Sequence, residues 1–219
     1  MHNTFLMRKY PKTARAEITF EREKITQEDR EKAQRFDEIY FDTERRFGYG
    51  GYHYNPRFFG EVVKDFIYYY DLKPGAKILD VGCGKGFMLH DFKQAMPSLE
   101  IAGIDISDYA LSKAMPGVAP FLQKACCSKL PFADKSFDLV IAISTIHNLD
   151  LQGVRQSLHE INRVSRGNAF IKVNGYKNLQ ERETLESWNL VAKTILHESE
   201  WEELFAQTGY VGDYDFFKT

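Results

Sequence analysis

Apolar positions follow two different periods along this chain. From Lys77 onward, short apolar runs of strand length alternate with segments whose apolar residues recur at helical spacing. Before Lys77 the spacing is helical only. The runs predict strands over 77–82, 100–105, 120–125, 137–143 and 168–173, and a final strand over Tyr210 to Phe217. Helices are predicted over 86–95, 108–114, 151–164 and 180–196, and then over 200–207, with Ser199 as cap and Gly209 as stop. In 151–164, Leu151, Val154, Leu158, Ile161 and Val164 share one face. Strands alternating with helices predict a doubly wound α/β sheet, mostly parallel, with helices on both faces. The pattern places six strands and finds no residues after Thr219 for a seventh, so a sheet of six or seven strands is expected.

The first 70 residues read as an arm and a helical cap, and residues 71–219 as the sheet-bearing domain. Residues 1–24 are polar and irregular and predict a loose arm. Thr26 with Asp29 three residues later is a helix start, and Ala33, Phe36, Ile39 and Tyr40 continue a narrow helical stripe. Phe47 to Tyr54 holds three glycines and three tyrosines, which is loop chemistry. Asn55-Pro56 opens the next helix as cap and first-turn proline, and Phe59, Val62, Val63, Phe66, Ile67 and Tyr70 form its apolar stripe.

The first strand runs into Gly82, Gly84 and Gly86, directly before a helix. Glycines there let backbone approach a ligand closely, and a helix start favours an anionic group. A dinucleotide fold wants G-x-G-x-x-G, but here the third glycine comes one residue early. Asp80 before the turn suits a ligand amino group. Asp105, at the tip of the second strand, suits both hydroxyls of a ribose. A branched side chain at Gly84 is expected to block backbone approach, while Lys85 reads as a solvated charge.

Four motifs in order, Ile78-Leu-Asp-Val-Gly-Cys-Gly-Lys-Gly86, Gly103-Ile-Asp-Ile-Ser107, Lys129-Leu-Pro-Phe132 and Phe137-Asp-Leu-Val-Ile-Ala-Ile-Ser144, resemble the class I S-adenosylmethionine-dependent methyltransferases over residues 72–173. The flanks Tyr49-Gly-Gly-Tyr-His-Tyr-Asn-Pro-Arg57 and Trp188-Asn-Leu190 resemble bacterial members from sugar and surface-polysaccharide pathways. The resemblance implies a Rossmann-like sheet, usually finished by a seventh, antiparallel strand, and S-adenosylmethionine as cofactor. It places Asp80, Gly82, Cys83, Gly84, Asp105, Ile106, Cys126, Cys127 and Ser144 around that cofactor. Many members carry Gly-Asp-Ala before the Leu-Pro-Phe motif, the Asp holding the adenine amino group. Here Ala125-Cys126-Cys127 stands in its place, so the side-chain bond to adenine is in question while backbone groups remain.

His147 in Ser144-Thr-Ile-His-Asn148 is the candidate general base, because a neutral imidazole accepts a proton near pH 7; a packing role beside the cofactor is the alternative. Tyr49, Tyr52, His53 and Arg57 form a candidate acceptor-binding lid, with an aromatic packing loop as the alternative. Trp188, Asn189 and His197 are candidates for the opposite pocket wall.

Composition narrows the function classes. The chain has 219 residues, is 43% hydrophobic and carries a formal net charge of −2 with acids and bases interspersed. That gives no electrostatic case for nucleic-acid binding. No apolar run approaches the ~20 residues of a membrane span, and the first ten residues lack the apolar core of a secretory signal. Three cysteines make neither a disulfide framework nor a zinc pattern, so a reducing cytoplasm and no metal are expected. The leading expectation is O-methylation of a small polar acceptor, a sugar or nucleotide-linked sugar. Methylation of nitrogen or a carboxylate is the alternative, followed by a cofactor-binding inactive partner subunit. Oligomeric state is left open.

Overall fold

The computed structural model describes residues 1–11, 25–48 and 53–217. Its centre is a sheet of seven strands: β1 (Lys77–Val81), β2 (Glu100–Asp105), β3 (Leu122–Lys124), β4 (Leu139–Ile143), β5 (Ala169–Tyr176), β6 (Leu196–His197) and β7 (Asp213–Phe217). The order is β3-β2-β1-β4-β5, and the far edge of β5 is shared by β7, which pairs with Phe170–Asn174, and β6, which pairs with Gly175 and Tyr176. Every pairing among these strands is parallel. The seventh strand is the two-residue β6, which begins at the last residue of the segment 180–196 that is predicted to be helical. The antiparallel strand implied by the resemblance is not among the described residues.

The helices of the sheet domain are α4 (Val62–Tyr69), α5 (Phe87–Ala95), α6 (Asp108–Ser112), α7 (Leu151–Val164), α8 (Leu179–Trp188) and α9 (Glu198–Gln207). Strand alternation sends successive side chains to opposite faces. Leu79, Val81, Val140, Ala142, Ile171 and Val173 meet Leu158, Ile161, Trp201 and Phe205 of α7 and α9. Ile78, Leu139, Ile141 and Phe170 meet Val63, Phe66, Leu89 and Phe92 of α4 and α5. Phe66 packs edge-to-face on Phe170 with centroids 5.1 Å apart, a buried aromatic contact whose truncation to Ala typically costs about 3–5 kcal/mol.

Ahead of the sheet lie α1 (Gln27–Ala33), α2 (Glu38–Asp42) and α3 (Pro56–Phe59). Thr26 caps α1 in the expected capping box with Asp29, and Asn55 with Pro56 starts α3 as expected. The stripe from Ala33 to Tyr40 is not one helix. Phe36, at φ 51°, breaks it, and Asp37 restarts it as the cap of α2. Helix α3 likewise ends at Gly60, before α4 begins. At the far end, His197 rather than Ser199 is the cap of α9.

The expected loose arm is packed over its first ten residues. His2 bridges Tyr214, and the Asn3 amide donates to the Tyr214 carbonyl at 2.7 Å, covering the outer edge of β7. Leu6 and Met7 are buried against the α4 face, and Lys9 reaches Asp65 at 2.8 Å. The reason is local: Phe5-Leu6-Met7 supplies apolar area within a basic stretch, and an open strand edge offers unpaired backbone groups.

Candidate functional site

Open parallel sheets bind ligands beyond the carboxyl ends of their strands. Here those ends present the glycine turn after β1, Asp105 after β2, Cys126 and Cys127 after β3, and Ser144 to Asn148 after β4. A hollow of about 440 Å³ lies at the opposite, amino edge between Lys77, Glu100, Phe137 and Arg166. None of the predicted site residues line it, so the carboxyl edge is the candidate site on grounds of topology and chemistry.

Gly82, Gly84 and Gly86 all have positive φ, at 81°, 53° and 76°. Their surroundings differ. A Cβ on Gly82 would sit 2.1 Å from Thr145 Oγ1, whereas one on Gly84 would meet only the Phe41 ring at 3.6 Å. Gly82 is therefore glycine because protein fills the space. Gly84 is the one that fronts an open cradle. Thr145, which sequence reasoning passed over, holds this junction: its hydroxyl lies 2.9 Å from the Val81 carbonyl and 3.0 Å from the Ile143 carbonyl. Cys83 is buried, and its amide donates to the Ile104 carbonyl.

Asp105 is fixed by backbone. The Gly84 amide donates to Oδ2 and the Ser107 amide to Oδ1, both at 2.8 Å. Burial raises the Asp105 pKa, and the amides of Ser107, Gly84 and Ile106 oppose that rise. Asp80 is 6% exposed, and its carboxylate makes no hydrogen bond or ion pair with any described residue. Burial, and then the charge on Asp105, push its carboxyl up to about 7. A buried carboxylate without a partner is a vacant place for a cationic group.

The residues after β3 hang beside Asp105, through the Ala125 amide on the Asp105 carbonyl at 3.1 Å. Cys127 is buried and accepts from Ser157. Cys126 is exposed, with Sγ 3.1 Å from Ser128 Oγ, and hydrogen bonding from Cys127 and then Ser128 draws its thiol down to about 5. Ile106 is 47% exposed at the same edge. Ser144 is exposed at the end of β4, with φ 57°.

His147 lies within a 3-10 turn (Ile146–Asn148) and is 3% exposed. Its Nδ1 accepts from the Asn174 amide of β5 at 3.1 Å, and its carbonyl accepts from the Lys193 and Thr194 amides. Burial lowers its pKa to about 3, so the ring is neutral and carries its proton on Nε2.

The N-terminal segment reaches over this edge. Ser107 Oγ donates to the Phe36 carbonyl, Ala33 packs on Leu190 and Val191, and Arg30 Nε donates to the Asn189 carbonyl at 3.2 Å. Lys85 is not a solvated charge. It is 7% exposed and ion-paired with Asp42 of α2, because the glycine turn points it under that helix. Asp42, His53, Tyr54, Lys85, Phe87 and Lys113 line an open cavity of about 350 Å³. Tyr54 is anchored beside it by its hydroxyl on Asp91. Arg57 is exposed on α3, stacked over Phe58, and does not line the cavity. Tyr49 and Tyr52 lie outside the described residues. Of the candidates for the opposite wall, Asn189 is engaged with Ala192, and His197 with Ser199 and Lys177.

Residues 79–172 match a family described as a methyltransferase domain. The chain is 34% identical over 95 residues to phosphoethanolamine N-methyltransferase 3 of Arabidopsis thaliana, covering 39% of this chain and 18% of that protein. It is 29% identical over 143 residues to cycloartenol-C-24-methyltransferase 1 of Oryza sativa subsp. japonica, covering 56% of this chain and 41% of that protein. It therefore spans less than half the length of either relative. In fold it is similar to the YcgJ protein of Bacillus subtilis, with a TM-score of 0.54, 20% identity and 65% of each chain covered.

Proposed function

We infer that this chain, a class I S-adenosylmethionine-dependent methyltransferase by its domain at residues 79–172, transfers a methyl group to a small polar acceptor, with the oxygen of a sugar or nucleotide-linked sugar as the favoured target. The observation that carries the cofactor half is Asp80, buried and unpartnered beside a glycine turn with an open cradle at Gly84. In this reading Asp80 receives the ammonium of the methionyl part, and the turn backbone lines its path. Each Asp105 oxygen already accepts one amide and keeps a second lone pair for a ribose hydroxyl. Cys126, as a thiolate, accepts from the adenine amino group where other members use Asp, with Ile106 and Cys127 flanking the base.

S-adenosylmethionine supplies an already activated methyl group when bound. The residues here have only to align the acceptor, an effect that can contribute ~7–11 kcal/mol, and to take its proton. The acceptor half of the reading rests on the cavity beside Lys85. Its lining of two lysines, a histidine, an aspartate and two aromatics suits a polar acceptor better than a sterol. We assign proton acceptance to His53, the imidazole that faces this cavity. His147 we assign to positioning, because a buried ring that stays neutral down to about pH 3 is a poor base near neutrality.

The test of function is purified protein with methyl-labelled S-adenosylmethionine and a panel of nucleotide sugars, amines and carboxylic acids. Label on a sugar oxygen supports the reading, and label confined to amines or carboxylates overturns the acceptor assignment. His147→Asn keeps an acceptor for the Asn174 amide, so it should retain activity within about tenfold. Loss of a general base would cost ~10²–10⁴-fold, and a loss of that size would return His147 to catalysis.

The Asp80 assignment predicts a pH dependence of cofactor binding. The free carboxyl is half-protonated at about 7, and a bound cation favours its ionised form. Binding should therefore release a proton, and affinity for S-adenosylhomocysteine should fall by up to about tenfold per unit as pH drops below 7. Calorimetry near pH 6.5 in two buffers of different ionisation enthalpy reads that proton directly. In Asp80→Asn both effects should vanish; a proton still released by that variant would place the titrating group elsewhere.

A further inference from the structure

Lys85 and Asp42 both line the proposed acceptor cavity, but their pairing with each other has a further consequence for the N-terminal segment. Lys85 lies between Gly84 and Gly86, within the turn that forms the cradle, and its ammonium is buried against Asp42 Oδ1. The other oxygen, Oδ2, accepts from the Tyr109 hydroxyl of α6 at 2.9 Å. Helix α2 needs such a hold. It has five residues, none of them fully buried, and its apolar hold is Tyr40, partly buried against Ala33, Leu190 and Val191. Yet it lies across the site, with the Phe41 ring 3.6 Å from the position a Cβ on Gly84 would take. Removing one member of a buried ion pair leaves the other charge less compensated, so breaking such a pair costs more than the pair contributes. Helix α2 can leave the turn only as Lys85 and Asp42 are both rehydrated.

We propose that Lys85 is the positioning residue through which the glycine turn holds α2 over the cofactor cradle, so that cofactor escape requires the Lys85–Asp42 pair to part. The second half of that statement rests on the cofactor reading above, while the first stands on contacts within the chain.

The test is a double-mutant cycle of Lys85→Met and Asp42→Leu on the full chain, read by hydrogen exchange and by the dissociation rate of S-adenosylhomocysteine. Each single variant should speed exchange across residues 27–42 by about tenfold, with residues 77–81 and 139–143 unchanged. The double variant should be no faster than either single, since one contact cannot be lost twice. Dissociation should quicken by the same factor, and Lys85→Arg, which keeps the charge, should restore both readouts. Should Asp42→Leu fail to fold, Asp42→Asn takes its place in the cycle. Unchanged exchange across 27–42 in both singles, or single effects that multiply in the double, overturns the proposal. Dissociation unchanged while exchange quickens overturns the link to cofactor escape alone. If the wild-type chain shows no binding in calorimetry, the cofactor reading falls, and the exchange cycle still decides whether Lys85 holds α2.

Discussion

Gly82→Ala is expected to destabilise the fold by roughly 3–5 kcal/mol. Left-handed backbone costs a residue with a Cβ about 1–2 kcal/mol. The new methyl would also lie 2.1 Å from Thr145 Oγ1, which must move and give up its contacts with Val81 and Ile143. Overpacking of that kind adds about 1–3 kcal/mol, and loss of the one hydrogen bond that the hydroxyl proton can make adds about 1 kcal/mol. At roughly 2–4 °C per kcal/mol for a chain of this size, the thermal midpoint should drop by about 10 °C or more. Gly75→Ala is the internal control, since its φ is 83° but nothing lies within 4 Å of the added carbon. It should show the backbone strain alone. Equal losses in the two variants would mean that Thr145 yields freely and that crowding does not explain the glycine at 82.

Asp105→Ala should weaken binding of S-adenosylhomocysteine by about 1.5–3 kcal/mol, the range for charge-assisted hydrogen bonds, or roughly 10- to 150-fold in Kd. The geometry places the effect in two parts. Removing the carboxylate takes away the ribose acceptor, and it also frees the Gly84 and Ser107 amides that it holds at 2.8 Å. Asp105→Asn keeps one oxygen acceptor and should fall between wild type and Ala. Calorimetry with all three proteins separates the parts, because hydrogen exchange at Gly84 should rise only where its acceptor is lost. An unchanged Kd in a folded Asp105→Ala protein would show that another residue carries the ribose.

The long, strongly patterned elements were legible in the sequence. The helix Leu151–Val164 and the strand Glu100–Asp105 match their predicted bounds, since each carries its own apolar period. Prediction went astray where a short local event overrides the period. Phe36 and Gly60 cut two apparent helices, and β6 has only two residues, too few for any periodic signal. Residues 1–10 were misjudged as a loose arm because nothing local says that the edge of β7, some 210 residues later, would receive them. Among candidate site residues, Asp80, Gly84 and Asp105 could be proposed from type and spacing alone. Lys85 was in view, but Asp42 and Thr145 were not. A lone Asp on a five-residue helix and a Thr after a strand have many ordinary explanations.

By itself, then, the sequence determined the doubly wound sheet, the glycine turn after β1 and the acid beyond β2, because these depend on residues near one another along the chain. Only the tertiary structure decided which glycine is crowded and which is open, that His147 is sealed from solvent, and that Lys85 is buried against the N-terminal segment. Each of those is a property of space shared by residues distant in sequence: Gly82 with Thr145, His147 with Asn174, Lys85 with Asp42. Burial then sets the chemistry, since desolvation lowers the pKa of one histidine and raises that of one aspartate, and desolvation cannot be read from residue type.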